Sequence, residues 1–301
     1  MEIIGTQHFD LARKIVSNMT TLSWKTIPHV CVTYEHEATK LIEVLKELNE
    51  GKDKSERISV NTAMLKIITE GLKACPKMNG HIEFNDKLVR GTVTYYKNID
   101  ISMPTVLENG EMMTVNMHSM ESKSMSEMSE AVRDSISRSH NSNMNEVMMG
   151  ALVDNTVNEL KKGRFKEIFY RVLGSYVGKY RLHTLGGKEK AEYYKIPEKD
   201  RLTKHDIEQG TVTVSNMGSI YRNWYGSCTI LEIIPPQITA IGIGALQNKA
   251  VVNDKNEVAA GKIIPITIAF DHRALDMGDV VPFMKRLDEI FESPEVLKKW
   301  A

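Results

Sequence analysis

Cysteine is scarce in this chain: Cys31, Cys75 and Cys228 are the only three in 301 residues, far apart and odd in number. That excludes a disulfide framework and a paired-thiol motif, and it suits reduced thiols in a cytosol. Charge of one sign is not in excess either, with 39 Lys plus Arg against 39 Asp plus Glu. Nothing in that balance argues for a nucleic acid or a membrane surface as partner. No stretch approaches the ~18 apolar residues of a membrane span, and the opening MEIIGTQHFDLARK lacks the cationic tip and apolar run of a signal peptide. A cytoplasmic location is therefore expected. Several motifs are missing too. There is no P-loop, no nucleophile elbow G-x-S-x-G, and no H-E-x-x-H or clustered His/Cys spacing, so no metal site is expected. GIGAL follows an apolar run but lacks the third glycine of a dinucleotide fingerprint.

What is present is 42% hydrophobic residues, ample for a packed core. DLARKIVSNMTTL places Leu11, Ile15, Val16, Met19 and Leu22 at helical spacing with Asp10 as N-cap. HVCVTYEHE alternates as a strand does, ATKLIEVLKELNEGK returns to helical spacing up to Gly51, and NTAMLKIITEGLKACP predicts a second helix ending at Pro76. Extended segments follow around HIEFND, KLVRGTVTYYKNIDISMP and GEMMTVNM, divided by turn formers at Asn85-Asp86 and Asn109-Gly110. SMSEMSEAVRDSISRSH predicts a further helix, and the methionines between Met103 and Met149 are expected as core filler.

At about 146–201 the character changes to a basic, aromatic-rich piece, ELKKGRFKEIFYRVLGSYVGKYRLHTLGGKEKAEYYKIPEKD. An inserted helical hairpin is expected, with Leu160, Phe165, Ile168, Phe169, Val172 and Leu173 sharing a face. The plainer reading is a solvated cationic helix packed on the body; the other is membrane or partner binding. The last hundred residues are regular: TVTVSNMG, ITAIGIGAL and KIIPITIAF predict strands. DVVPFMKRLDEIF predicts a helix capped by Asp279 with Pro282 in its first turn. Strands apolar on both faces need helices or other protein on both sides.

AFDHRALDMG, where KIIPITIAF ends, sets His272 four residues before Asp276, with Asp271 and Arg273 adjoining. In a turn or helix the two side chains can meet. A neutral imidazole can take a proton at physiological pH while a carboxylate orients it. A histidine beside an aspartate is as readily structural.

The D-H-R-x-x-D spacing resembles the signature of the acyltransferase catalytic domains of 2-oxo acid dehydrogenase complexes, and more distantly chloramphenicol acetyltransferase. TIPHV, PKMNGHIE, NIDISMPTVLENGEMMTV and LTKHDIEQGTVTVSNMG before PPQITAIGIG are similar to further landmarks of that family, in the family's order. The resemblance implies an α/β fold, a mixed sheet covered by helices, assembled as a homotrimer or larger assembly with each active site between subunits. It implies a CoA-dependent acyltransferase that moves an acyl group between a CoA thioester and a thiol, amine or hydroxyl. His272 would be the general base, Ser215 the oxyanion donor, and Asp276 the support of the site, with Arg13 a candidate partner of Asp276. CoA is the implied co-substrate, without a metal. Asn79 and the turn Pro235-Pro236-Gln237 are expected near the channel. No lipoyl or subunit-binding domain precedes residue 1, so the expectation is a single stand-alone domain over 1–301, without lipoate of its own, served by a separate lipoyl or other carrier. The family glycine after the signature aspartate is Met277 here. That exchange keeps a second reading open, a non-catalytic trimeric scaffold or regulatory partner.

Overall fold

The computed structural model describes every residue except 107–111, 162–164, 178–183 and 254; the turn expected at Asn109-Gly110 lies outside the described residues. Helix α1 (Leu11–Thr26) starts where Asp10 Oδ1 accepts the Arg13 N–H at 2.7 Å, satisfying one of the free donors of the first turn. Strand β1 (His29–Glu37) follows, then α2 (Thr39–Leu48), with Gly51 at φ +72° in the turn beyond it. Helix α3 (Val60–Ala74) is capped by Ser59. β2 (Gly80–Asn85) and β3 (Arg90–Tyr95) form a separate hairpin across the predicted Asn85-Asp86 turn. Next come β4 (Ile101–Val106), β5 (Met112–Met117), and α4 (Met125–His140) with a Ser124–Glu127 capping box. α5 (Met144–Lys161), α6 (Phe165–Tyr176), α7 (Gly187–Tyr193) and α8 (Lys204–Ile207) lead to β6 (Val212–Asn216) and α9 (Met217–Ile220). β7 (Thr239–Ile243), β8 (Gln247–Val252), β9 (Val258–Asp271) and α10 (Met277–Glu292) complete the order.

Seven strands make one mixed sheet in the order β1-β9-β7-β6-β4-β5, with β8 paired to the first part of β9. β6 runs parallel to both β4 and β7, and the other pairs are antiparallel. Pro104 lies in β4 beyond the two residues that pair with β6, where its missing N–H costs no ladder bond on that side.

Cross-strand register divides the sheet into two unlike faces. Val214, Ile241, Ile268 and Val32 stand in one row, and they join the main core formed with α2, α3, α4 and α10. Met113, Met117, Met120, Met125 and Met128 are buried in that core, as the filler role requires. The neighbouring rows, Thr213–Ala240–Ala269–Cys31 and Ser215–Gly242–Thr267–Thr33, point the other way. That face is small and polar, and the core helices α2, α3, α4 and α10 lie against the other one. The segment 221–234 crosses it instead: Thr33 Oγ1 donates to Cys228 O at 3.0 Å, Thr267 Oγ1 donates to the same oxygen, and Ser23 Oγ donates to Ile233 O at 2.7 Å.

The start of α10 differs from the sequence expectation. Its N-cap is Asp276, and Asp279 is the third helical residue, whose Oδ2 accepts the Asp276 N–H at 3.0 Å. Pro282 therefore lies inside the helix, not in its first turn. Both aspartates are able to cap; the earlier one does because the Asp271–Leu275 turn closes directly onto it through Leu275 N–H donating to Asp271 O at 3.0 Å.

Candidate active site

At the end of β9, Asp271 is fully buried and anchors the turn. Its carboxylate accepts the Arg273 backbone N–H at 2.9 Å and the Arg273 guanidinium at 2.6 Å, a bidentate charge-assisted pair that fixes geometry as well as charge. The Arg273 guanidinium lies over the Phe84 ring, 5.4 Å from its centroid. His272 N–H donates to Pro28 O at 3.0 Å, which ties the turn to the start of β1. The imidazole is thus held by its backbone on both sides while its side chain stays half exposed. Its Nδ1 is 3.2 Å from Leu275 O and 3.4 Å from Asp276 Oδ1. A carbonyl oxygen can only accept, so Nδ1 carries the proton and Nε2 presents a lone pair. The arrangement leaves Nε2 able to accept a proton, with the ring oriented by a backbone carbonyl first and a carboxylate second. Asp276 is exposed, and an exposed pair of this kind contributes little by itself.

Met277 occupies the first position of α10. Among the described non-glycine residues only Val89, Ser119 and Asn256 have positive φ, so the backbone there asks nothing of a glycine. A Cβ on Gly278 would meet nothing within 4 Å. The turn that aims His272 accommodates DMG without strain.

Ser215 lies in β6 on the small, polar face, half-buried, and is level with Gly242 and Thr267. His272 lies beyond the end of β9, four strand residues and one turn residue past Thr267, and two strands across. At ~3.3 Å per residue and ~4.8 Å per strand the two Cα atoms are roughly 19 Å apart. Serine and histidine side chains cannot span that. One chain therefore does not bring Ser215 and His272 together. Arg13 is exposed in the first turn of α1 and makes no ion pair with Asp276 within the chain.

Two of the residues expected near the channel brace the backbone around them. Asn79 is buried, and its Nδ2 donates to Tyr96 O at 2.8 Å and Asn98 O at 2.9 Å. Gln237, fully buried, donates to Gly210 O at 2.8 Å and accepts from Thr213 Oγ1 at 2.6 Å. Sequence reasoning missed His29. Its Nε2 accepts the Ile233 N–H at 3.1 Å, pinning the 221–234 segment over the Ser215 face, and burial pulls its pKa down. The only signal was its place in TIPHV.

With this geometry in hand, comparison with known proteins is decisive for the family. The family model of the 2-oxoacid dehydrogenases acyltransferase (catalytic domain) matches residues 6–153 and 188–298. The chain belongs to this acyltransferase family. Among curated members it is 24% identical over 288 residues to a "dihydrolipoyllysine-residue acetyltransferase component of pyruvate dehydrogenase complex" of Rickettsia bellii, covering 95% of this chain and 52% of that one. A mitochondrial relative from Saccharomyces cerevisiae is 23% identical, covering 94% of this chain and 45% of the relative. The chain spans about half the length of the curated relatives it matches. Among solved structures of the family, the dihydrolipoamide acetyltransferase of Azotobacter vinelandii superposes with a TM-score of 0.66 at 15% identity, covering 98% and 94% of the two chains. A probable dihydrolipoamide acetyltransferase from Listeria monocytogenes gives 0.64 at 16%, covering 96% and 94%. The mixed sheet with its helical layer is the fold of these acyltransferase domains.

Proposed function

We propose that this chain is a CoA-dependent acyltransferase whose active site is completed by a second copy of itself, with His272 as base and Ser215 of the neighbouring copy as oxyanion donor. The observation that carries this is the ~19 Å between the two residues within one chain, joined to an imidazole already held with Nε2 free. In the Azotobacter enzyme a serine, a histidine and an asparagine four residues after that histidine have been investigated for their role in the catalytic mechanism; His272 and Asp276 have the same spacing. A homotrimer would place one such site at each of its interfaces.

In the proposed reaction the acceptor thiol, amine or hydroxyl gives its proton to His272 Nε2 as it attacks the thioester carbonyl. An unperturbed thiol has a pKa of ~8.5, so a base within hydrogen-bond reach makes it nucleophilic at neutral pH. The carbonyl oxygen takes up the negative charge and Ser215 Oγ–H donates to it. As the tetrahedral adduct collapses, the C–S bond to CoA breaks and the proton on His272 passes to the departing sulfur. The relatives' names point to a dihydrolipoyl acceptor on a carrier, and a separate carrier is proposed here. The segment at about 146–201 is proposed as an insertion into the acyltransferase domain, supported by the break in the family match between 153 and 188. Three free thiols support a reducing, cytoplasmic setting. The unstrained backbone at Met277 favours an enzyme over a scaffold.

Acetyl transfer from acetyl-CoA to dihydrolipoamide tests this. Ser215→Ala is expected to lose ~10² to 10³ in turnover and His272→Ala ~10² to 10⁴. The two inactive variants, unfolded together and refolded as mixed assemblies, should regain activity, because some interfaces then join an intact His272 to an intact Ser215. A mixture that assembles and stays inactive would refute the shared site; unchanged turnover in His272→Ala would refute the base.

A further inference from the structure

α6 sets Phe165, Phe169 and Leu173 four residues apart, and Val177 continues the series just past its end. Such spacing lines one helix face. All four are exposed, Phe165 at 67% and Phe169 at 63%, with Tyr170 exposed beside them. The sequence suggested that this face packs on the body. It does not: among the described side chains of the expected set the half-buried one is Ile168, and Lys14 Nζ of α1 donates to the backbone Gly174 O at 3.1 Å. The Val172 side chain lies outside the described residues.

The base of this element is well anchored. The buried Glu146 carboxylate accepts Leu185 N–H at 2.8 Å and Tyr194 O–H at 3.2 Å and pairs with Lys190 at 3.2 Å. The Arg201 guanidinium stacks on Tyr193 and Tyr194 at 5.5 and 5.1 Å. This clasp ties the returning chain to the start of α5. Around it the charge is lopsided. Residues 161–181 include seven Lys or Arg and one acid, in a chain of net charge zero.

A helix with aromatic and aliphatic residues exposed on one face, in a stretch of sequence rich in cations, has the chemistry of a helix lying in the surface of an anionic bilayer. A second copy of the chain would cover the stripe but bring seven cations against seven. An acidic protein would answer the cations but needs an apolar cleft to receive a protruding stripe. We propose that α6 seats this protein on an anionic lipid surface, the stripe at the boundary of headgroups and acyl chains and the cations toward the lipid phosphates. This does not depend on the acyl-transfer reading.

The test is co-sedimentation of the full chain with vesicles of phosphatidylcholine alone or mixed with phosphatidylglycerol, at low and high salt. Binding to the phosphatidylglycerol vesicles alone, weakened by salt, is expected. Phe165→Asp with Phe169→Asp should weaken it at least about tenfold, as should Lys161→Gln, Lys162→Gln and Arg164→Gln together. Acetyl transfer in solution and the assembled mass should stay unchanged, which also shows that the variants fold. Absence of vesicle binding, equal binding to both vesicle types, or variants that bind as the parent does would each overturn the proposal. So would a fall in assembled mass in the aspartate variant, which would make the stripe a subunit contact, or capture of an acidic protein in place of lipid.

Discussion

His36 is buried in β1, stacked on Phe291 with ring centroids 4.3 Å apart, and its Nε2 has no hydrogen-bond partner. Burial pulls its pKa down to about 4, and Asp288, 3.8 Å from Nδ1, only partly offsets this. Asp288 also accepts the Tyr34 hydroxyl, which pushes that phenol up to about 12. In the unfolded chain His36 takes its proton near 6.5; in the native one it does so only near 4. Between those values the unfolded state binds more protons, so stability is complete above ~6.5 and falls as pH drops toward 4. Urea unfolding should give a free energy about 2 kcal/mol lower at pH 5 than at pH 7, and His36→Phe should flatten most of that slope. His29 and His81 are shifted down by burial in the same direction and leave a residue of it. Equal slopes in the parent and the variant would place the acid sensitivity elsewhere. Nothing in HVCVTYEHE marked this histidine, because alternation tells which residues share a face and not what lies above it.

At the scale of elements, the glycines of two motifs behave oppositely. A Cβ on Gly218, in SNMG, would come within 2.6 Å of Gly244 O and 2.7 Å of Ala245 Cα. Backbone cannot move aside as a side chain does, so Gly218→Ala must push α9 off the end of β7, three residues from Ser215. A loss of ~1 to 3 kcal/mol in stability is expected, read as a lower urea midpoint, together with reduced turnover. Gly278→Ala, in DMG, meets open space at the second position of α10 and should be neutral or slightly stabilising. If both alanines were equally harmless, the close approach at Gly218 would carry no consequence. Most elements were legible beforehand: the Asp10 cap, the alternation of β1 and the period of α3 all stand in the structure. The start of α10 was not: its pattern pointed to a cap at Asp279, and only the His272 turn moves the cap to Asp276.

The whole molecule has one well-covered sheet face and one spare one. Main-core residues fill the first, whereas the second has the small cluster Ile27, Ile233, Ala240 and Ala269 under a single strap of chain. With Ser215 on that spare face and His272 beyond its edge, activity should require association. Specific activity is expected to fall on dilution in step with assembled mass by light scattering, while helix content by circular dichroism holds. Full specific activity in a demonstrated monomer would contradict this.

By itself the sequence determined the element types, the family and the chemistry-bearing side chains, since helical and strand periods and a D-H-R-x-x-D spacing are local properties of the chain. Only the tertiary structure decided what those residues can reach. Strand register, a pairing between distant segments, sets Ser215 and His272 ~19 Å apart in one chain. The turn closed by Asp271 and Leu275 shows that Met277 needs no glycine conformation. The fold leaves the aromatic stripe of α6 facing outward, with Phe165 and Phe169 exposed and Ile168 half-buried. Each of these depends on which surfaces meet, and a linear pattern does not hold that information.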